Sequence, residues 1–407
     1  PSQGCNVGGL ETFAWRLAQG LARDSMDSVQ FVVRTQRKRP VFESNSIHIY
    51  PFHEPLREIR RSVSEAMELD PESRRPRIKK WRASLGWQIP ILALRKAFWP
   101  AFSEEAAIEK LITSFAPDMI LTLGVNKTSA TLGDIASRLS VPILLWLQSN
   151  ADLEAKLLDD PSFVDRYGVQ SQHAKDCWRS NRNIICQTVT QRELLTALID
   201  RDLSGTVKPS RVTVIPNPID TERFCASDSF FTQRNGVLWI GRSDRFHKRP
   251  LLALQIAKLC PNLPFTMILN QGDPDVLDEV LQTKGPNVTV IDYLPSSEMP
   301  RVMKASRLFL STGAREFEGF PNVLIEASAC GTPIVSLEDF DGYLSRSRAG
   351  RCAENQIEIA SQLVRDLHSS ENEWKTLSGN GIENVEKHHR LETVVASFRQ
   401  LAISALQ

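Results

Sequence analysis

The sequence has almost no net charge and no long apolar run. Its 407 residues carry 49 Lys and Arg against 48 Asp and Glu, a formal net charge of +1. A near-neutral balance argues against nucleic acid as a partner of the whole surface. No apolar run reaches the ~18 residues that a membrane-spanning helix needs, so no transmembrane helix is predicted. An apolar share of 42% with 24% charged residues is typical of a globular protein.

The sequence also lacks paired cysteines. Its seven cysteines are scattered and form no C-x-x-C motif, which argues against a disulfide framework and against a zinc cluster. Two D-x-D strings, at 273–275 and 339–341, are short acidic pairs of a kind frequent in turns. We therefore expect a reducing, cytoplasmic setting, no metal and no cofactor.

Short apolar strands alternate with amphipathic helices along most of the chain. Strand-like runs lie at 29–33, 47–52, 118–124, 141–147, 184–186, 212–215, 237–240, 265–269, 288–291, 308–311 and 334–336. Helical patterns lie at 10–21, 129–139, 190–199, 250–259, 273–282, 298–305, 322–330 and over the last 50 residues. This alternation implies right-handed βαβ units. It predicts an α/β fold with two doubly wound, Rossmann-like parallel-sheet domains that face a cleft.

A turn-rich run at 216–220, Pro-Asn-Pro-Ile-Asp, separates the two halves of this pattern. Clusters of turn residues interrupt regular structure, which makes the run a candidate hinge. We therefore predict an N-terminal domain over 1–222 and a C-terminal domain with closing helices over 223–407. Ligands of doubly wound sheets bind beyond the carboxyl ends of the strands, so loops of both domains would build one site.

The strongest local signal is the segment 316–333, EFEGFPNVLIEASACGTP, which follows a strand-like run. Pro321 suits the first position of a helix, and Gly331 suits the left-handed residue after its end. A helix that starts at a strand end offers free N–H groups to an anion. Glu318 and Glu326 add acceptors for hydroxyl groups on either side of a phosphate, as in a nucleotide sugar. A surface loop with a stray carboxylate remains an alternative.

Two further segments could meet the same anion. Gly241, Arg242 and Lys248 follow the strand-like run at 237–240. The glycine would let a ligand approach the backbone, and the two cations could hold a diphosphate. The Gly8–Gly9 turn opens the first helix and could offer its N–H groups. A solvated basic loop and a plain turn remain the alternatives.

Together these segments resemble the retaining family 4 glycosyltransferases. The range 318–326 has that family's E-x7-E spacing within a closely matching context. Arg242 and Lys248 resemble its phosphate-binding Arg/Lys pair. The run at 214–220 resembles its interdomain segment, and 8–11 resembles its N-terminal glycine loop. The four motifs stand in matching order over most of the chain.

The resemblance implies a GT-B fold, a nucleotide-diphosphate sugar donor and front-face substitution that retains the anomeric configuration without a protein nucleophile. By matched position, Arg242 and Lys248 would hold the diphosphate. Glu318 would bind the donor sugar, and Glu326 the ribose hydroxyls. We expect Arg242, Lys248 and Glu318 to be catalytic and Glu326 to bind substrate. The other substrate-binding residues that we expect are Gly8, Gly9, Gln148, Gly241, Gly319, Phe320, Pro321, Asn322 and Val323.

The chain departs from the family pattern in two places. The family usually begins with a strand ahead of the glycine loop, whereas this chain starts at Pro1 without Met. We expect that the first N-terminal strand is missing and that the native N-terminus is longer. The family often places His after the strand that matches 141–147, where Gln148 stands here. Glutamine can bond a sugar or a phosphate but cannot carry a proton charge.

A basic stretch at 55–100 holds 11 Lys or Arg against 5 acidic residues, interleaved with tryptophan. One interpretation is a solvated helical insertion whose apolar faces pack on the domain. A second is a peripheral membrane contact, on the acceptor side, with anionic lipid at the inner face of the membrane. Nucleic-acid binding is the least favoured.

We predict a transferase that moves a hexose from a nucleotide-diphosphate sugar to a saccharide or glycolipid acceptor in polysaccharide or glycan assembly. A GT-B-fold epimerase or phosphorylase is an alternative enzyme. A non-catalytic module that binds a nucleotide sugar is an alternative from another class.

Overall fold

The computed structural model describes residues 9–23, 27–35, 40–52, 56–69, 76–98, 104–165, 168–181, 183–203, 205–226 and 231–406. The chain divides into two compact units. The first unit comprises the described residues of 1–20, 121–133 and 142–407, and the second those of 21–120 and 134–141. This division does not test the domain boundary that we expect after residue 222, which stays a prediction.

The helices are α1 Gly9–Ala22, α2 Arg57–Ala66, α3 Leu85–Phe98, α4 Glu104–Phe115, α5 Lys127–Leu139, α6 Lys156–Asp159, α7 Ser171–Ser180, α8 Val189–Leu198, α9 Pro250–Lys258, α10 Pro274–Thr283, α11 Met299–Ala305, α12 Asn322–Ala329, α13 Tyr343–Ser347, α14 Ile357–Ser369, α15 Glu371–His388 and α16 Leu391–Leu406. The strands are β1 Val29–Arg34, β2 Phe42–Ser44, β3 Ile47–Phe52, β4 Met67–Leu69, β5 Pro76–Ile78, β6 Ile120–Leu123, β7 Ile143–Trp146, β8 Asn183–Cys186, β9 Val212–Val214, β10 Val237–Arg242, β11 Phe265–Asn270, β12 Val288–Ile291, β13 Leu308–Ser311, β14 Ile334–Ser336 and β15 Gly350–Cys352. Among these residues, no helix combines the length and the apolar composition needed to cross a bilayer.

A six-stranded parallel sheet forms the C-terminal part of the first unit. Its strand order is β12-β11-β10-β13-β14-β15, which is 3-2-1-4-5-6 when counted from β10. Val237 and Trp239 of β10 belong to one buried apolar cluster, and Leu238 and Ile240 to another. Side chains alternate between the faces of a strand, so both faces of this sheet are covered, as its apolar runs predict. The doubly wound α/β class is confirmed.

A four-stranded sheet, β6-β7-β8-β9, forms the other sheet of the first unit, and β7, β8 and β9 run parallel. The indole of Trp146 at the end of β7 lies edge-on to Phe13 of α1 at 4.8 Å and stacks on Phe398 of α16 at 5.8 Å. A Cβ atom on Gly20 of α1 would lie 2.8 Å from Leu391 of α16. The last helix therefore packs against the first one.

The second unit is built on a three-stranded sheet of order β1-β3-β2. β1 and β3 run parallel, and β2 is antiparallel to β3. Ile47 and Ile49 of β3 are buried, and the ring of Tyr50 packs 4.2 Å from that of Phe115 on α4. A short antiparallel ladder, β4-β5, and the helices α2 and α3 lie within the stretch that the sequence singles out as basic.

The helix of the E-x7-E segment, α12, ends as expected. Gly331 has φ +65°, and its N–H donates to the Ser328 carbonyl, while the N–H of Thr332 donates to that of Ala327. These bonds form a Schellman motif, which satisfies carbonyl groups at the helix end. The helix begins at Asn322, with Pro321 as the preceding cap residue, one position later than predicted.

We expect Gly331→Ala to lower the free energy of unfolding by about 1–2 kcal/mol. The new Cβ would require a left-handed alanine and would lie 2.8 Å from the Ser378 hydroxyl. Gly379→Ala on α15 is the control, because its Cβ would meet no atom within 4 Å and alanine favours a helix by ~0.5–1 kcal/mol. Urea denaturation of both variants measures the difference. Equal effects would contradict the assignment of Gly331 as a helix cap.

Candidate active site

The order of the six-stranded sheet creates a crevice at its centre. β10 pairs with β11 over six residues, but with β13 over only two, at Val237 and Leu238. The chain reverses its direction of winding between these strands, which is where doubly wound sheets bind ligands. The indole N–H of Trp239 donates to the Thr312 hydroxyl at 2.8 Å beyond the last paired residues. The loops that follow β10 and β13 therefore meet at this point.

Lys248 and Glu318, one from each loop, form a partly buried ion pair. The Lys248 Nζ lies 2.7 Å from the Glu318 carboxylate, and the Glu318 residue is 7% exposed. Gly313 leaves room for this carboxylate, since a Cβ there would lie 2.7 Å from it. Two of the residues predicted to be catalytic are thus brought together.

Arg249 ties the two loops to each other. Its Nε donates to the Thr312 carbonyl at 2.6 Å, and one terminal nitrogen donates to the Gly313 carbonyl at 2.5 Å. The Thr312 hydroxyl donates in turn to the Lys248 carbonyl at 2.7 Å. Arg249 was not among the predicted site residues. Its bonds to backbone carbonyl groups fix the loop on which Lys248 stands.

Arg242 does not join the Lys248–Glu318 pair. Its side chain is 52% exposed and lies 3.6 Å from the Asp244 carboxylate. Gly241 packs against protein atoms, since a Cβ there would lie 2.6 Å from the Trp239 ring. The glycine therefore makes room for neighbouring side chains.

Three glutamines face Gly319. A Cβ on this glycine would lie 2.4 Å from the Gln191 side-chain nitrogen, 2.5 Å from the Gln187 side-chain oxygen and 3.2 Å from the Gln148 carbonyl oxygen. The Gln187 amide donates to the Gln148 side-chain oxygen at 3.3 Å. The Gln191 side-chain nitrogen and the Gln187 side-chain oxygen are buried and have no hydrogen-bond partner within the described part of the chain. These two atoms could bond a hydroxyl group beside Gln148. Sequence motifs do not reveal these two residues, because glutamines are common on helices and loops.

The Phe320 ring faces the core. It stacks on the ring of His389 at 5.8 Å with an angle of 19° between the planes. His389 Nδ1 hydrogen-bonds to the Asn217 carbonyl at 2.9 Å. The Asn217 amide donates to the carbonyl of Phe320 at 3.3 Å and to the Asn322 side chain at 2.9 Å. These contacts hold the start of α12, while the Phe320 ring is 9% exposed and serves packing.

The glycine turn reaches the same segment. The Asn322 amide donates to the carbonyl of Gly9 at 3.2 Å, whereas Gly8 lies outside the described residues. Pro321 is buried and Val323 is partly buried against the core. The first N–H groups of a helix have no partner within the helix, so the start of α12 can still donate to an anion.

Glu326 is paired with a cation that the sequence prediction missed. The Arg16 guanidinium on α1 hydrogen-bonds to the Glu326 carboxylate, and both residues are buried. Arg16 also lies 5.1 Å from the centre of the Phe224 ring. A signal for it exists, because Arg16 stands between Phe13 and Leu17 on the buried face of α1. A charge on such a face requires a partner.

The loop after β7 holds Gln148 in place. The Asp152 carboxylate accepts the backbone N–H groups of Gln148, Ser149 and Val125 at 2.7, 3.0 and 2.9 Å. Burial raises the pKa of Asp152 to about 6, although these three donors favour its charged form. The Ser149 hydroxyl donates to the Phe317 carbonyl, next to Glu318. Gln148 thus lies beside the E-x7-E segment, and its role in substrate binding stays a prediction.

Three of the four aspartates in the two D-x-D strings accept backbone N–H groups. Asp273 caps α10, Asp339 accepts the N–H groups of Leu344 and Ser345, and Asp341 accepts that of Thr190. The described residues contain no group of three or more His, Cys, Asp or Glu placed to hold a metal ion.

Comparisons with known proteins agree with this geometry. Residues 224–383, about two fifths of the chain, match the model of the family described as glycosyl transferases group 1. This range contains Arg242, Lys248, Glu318 and Glu326, and it supports a glycosyltransferase activity. No curated protein matches the chain in sequence.

Solved structures of low sequence identity share the fold. Sucrose-phosphate synthase from Thermosynechococcus elongatus has a TM-score of 0.66 and 16% identity over 98% of this chain and 94% of its own. Anabaena HepE, solved in complex with UDP and glucose, has 0.63 and 13% over 98% and 97%. An E. coli structure bound with UDP-2-fluoro glucose has 0.64 and 13% over 98% and 97%. The expected GT-B fold is therefore confirmed.

We expect Lys248→Met and Glu318→Gln each to lower the free energy of unfolding by ~2–3 kcal/mol, because each removes one member of a partly buried ion pair and leaves the other charge without its partner. The double variant should lose less than the sum, with a coupling of ~1–3 kcal/mol. The exposed pair of Arg245 and Glu279, at 2.5 Å, is the control and should couple by less than ~1 kcal/mol. Urea denaturation of the two cycles decides. Additive effects at Lys248 and Glu318 would contradict the ion pair.

The stability of the protein should depend on pH through His389. Burial lowers the pKa of His389 to about 4, although its bond to Asn217 raises it. In the unfolded state this histidine binds a proton with a pKa of ~6.5. The contribution of His389 to the stability of the folded protein is therefore complete above that pH and declines as the pH falls toward the folded pKa. Between pH 7 and 5 the free energy of unfolding should fall by about 2 kcal/mol.

His389→Phe keeps a ring against Phe320 but cannot take a proton. Urea denaturation at both pH values should therefore show ~2 kcal/mol less pH dependence in the variant. His368, whose pKa burial lowers to about 4, contributes equally to both proteins. The same pH dependence in the two proteins would show that His389 is not the titrating group.

Proposed function

We propose that this protein is a retaining glycosyltransferase that moves a hexose from a nucleotide-diphosphate sugar to a saccharide or glycolipid acceptor. The observation that carries the proposal is the Lys248–Glu318 ion pair at the switch point of the sheet. A cation and a carboxylate in contact suit a ligand that presents a phosphate and a sugar hydroxyl side by side. The family match over this region, and the UDP and glucose in the HepE structure, support the choice of donor.

Each charged residue has a role in this proposal. Lys248 has three donor hydrogens, so it can contact the diphosphate without leaving Glu318. Arg242 is held to Asp244 only by an exposed pair, which contributes little, so its guanidinium is available to the other phosphate oxygens. Glu318 accepts from a sugar hydroxyl, and Glu326 accepts from the ribose while Arg16 holds its carboxylate in position.

Transfer proceeds on one face of the sugar. The acceptor oxygen bonds to C1 on the face from which the bond between C1 and the phosphate oxygen breaks. The acceptor proton passes to that leaving phosphate oxygen. Arg242 and Lys248 stabilise the negative charge that develops on the diphosphate. The six free cysteines of the described residues fit the cytoplasmic setting that we propose for this reaction.

A donor panel tests the proposal. We expect one of UDP-glucose, GDP-mannose and ADP-glucose to bind in isothermal titration calorimetry. Arg242→Gln and Glu326→Gln should each weaken it more than about tenfold, since a charge-assisted hydrogen bond is worth ~1.5–3 kcal/mol. The matched controls are Arg245→Gln and Glu316→Gln, at exposed positions close to the site. Urea denaturation shows which variants remain folded.

Two results would contradict the proposal. Donor binding that is absent, or that is equal in the site variants and the controls, would remove the site. Inversion at C1, read by NMR from the first product formed, would remove retention. Isomerisation of the donor sugar without an acceptor would instead favour the epimerase.

A further inference from the structure

The basic stretch of the second unit exposes an unusual set of apolar side chains. Six of the exposed large apolar residues of the described chain fall between positions 78 and 94, and they are Ile78, Trp81, Trp87, Ile89, Ile91 and Leu94. Trp81 is 69% exposed and Trp87 is 51% exposed. Large side chains of this kind are normally removed from water, and a contiguous exposed group marks an interaction surface. We call this group the apolar patch.

The patch is fixed in place by its own unit. The α3 helix turns Leu85 and Gln88 inward, and the Gln88 side chain accepts a hydrogen bond from Ser62 of α2 at 3.1 Å. The backbone N–H groups of Lys79 and Lys80 both donate to the Ala66 carbonyl at the end of α2. The loop with Trp81 and the helix with Trp87 are therefore both attached to α2, which brings them to one region of the surface. Leu85 and Ala66 of this stretch pack inward, as a helical insertion on the domain requires, whereas the apolar patch stays exposed.

The charge of this region selects its occupant. Residues 76–94 contain four basic residues, Arg77, Lys79, Lys80 and Arg82, and no acidic one. Basic side chains among exposed tryptophans and aliphatic residues suit the boundary between lipid headgroups and acyl chains. A second copy of the chain would bring the same positive charge against itself. A helix of 14 residues is too short to span a bilayer but long enough to lie in its interface.

We propose that the apolar patch and its flanking lysines bind the surface of a membrane that contains anionic phospholipid. The tryptophans and the exposed face of α3 enter the interface, and Lys79 and Lys80 contact the headgroups. This proposal goes beyond the transfer reaction and does not depend on the residues of the active site.

Sedimentation of the full chain with lipid vesicles tests the proposal. We expect the protein to pellet with vesicles of phosphatidylcholine that contain roughly one third phosphatidylglycerol, and not with phosphatidylcholine alone. Raising the salt concentration should release it, because the charge contribution is screened. Trp81→Ser with Trp87→Ser, and Lys79→Glu with Lys80→Glu, should each reduce the bound-to-free ratio by more than about tenfold.

The chain offers a matched control. Ile91→Ser with Leu94→Ser changes an exposed Ile and Leu three residues apart on α3, and Ile403→Ser with Leu406→Ser makes the same change on α16, where the two are 60% and 52% exposed. Only the α3 pair should weaken vesicle binding. For charge, Lys258→Glu with Lys387→Glu, both exposed, should leave most of the binding intact. Donor binding by calorimetry should be unchanged in every patch variant, which separates this proposal from the proposed function.

Three results would overturn the proposal. The first is that the wild-type protein does not pellet with the anionic vesicles even at low salt. The second is that the α3 variant binds as well as the α16 control. The third is a stable dimer in sedimentation velocity that Ile91→Ser with Leu94→Ser dissociates, which would assign the patch to a second copy of the chain.

Discussion

The short pairing between β10 and β13 is the constraint on which the active site depends. Two paired residues join these strands, whereas six join β10 to β11, so the central part of the sheet has a gap at its carboxyl edge. Trp239, Thr312 and the Arg249 guanidinium line that gap, and their hydrogen bonds hold the two loops together. The charged side chains of the site lie on loops, and these loops are anchored to a sheet whose two faces are both buried.

The electrostatics of the site follow from the same architecture. Both glutamates of the E-x7-E spacing are buried, and each is matched by one cation from a distant part of the chain, Lys248 or Arg16. Without these partners, each buried carboxylate would lack a compensating cation, which would weaken the fold. The cations therefore hold both acceptors in position before any substrate arrives. A ligand that carries its own negative charge then finds donors beside acceptors that are already oriented.

Five strands of the six-stranded sheet could be predicted from sequence because they are continuous apolar runs, and helices such as α12 could be predicted because they carry recognisable ends, such as Gly331. Elements of mixed composition escaped prediction. β15 is three residues long and contains Arg351, and the apolar stripe of α2 is limited to Ile59, Val63 and Ala66 among charged residues, so the bounds of α2 could not be given. Burial by neighbours, rather than local preference, decides such segments.

The site shows the same limit. Lys248 and Glu318 could be named from their motifs, yet their mutual contact depends on strand order, which no local pattern contains. Arg16 escaped because its partner lies 310 positions away. Gln187 and Gln191 escaped because nothing in an ordinary glutamine reveals that it will face a glycine. Residues that act through long-range contacts are therefore the ones that local reading misses.

The packing of α16 on α1 has a consequence for biosynthesis. Leu391 and Phe398 are translated after the entire six-stranded sheet, yet they cover Gly20 and Trp146 in the first half of the chain. While the ribosome is still working, α1 and β7 expose the apolar surface that these residues later cover. The helix that presents Arg16 to Glu326 therefore gains this cover only after α16 has been synthesised. The part of the proposed donor site that contains Arg16 is therefore completed late in the synthesis of the chain.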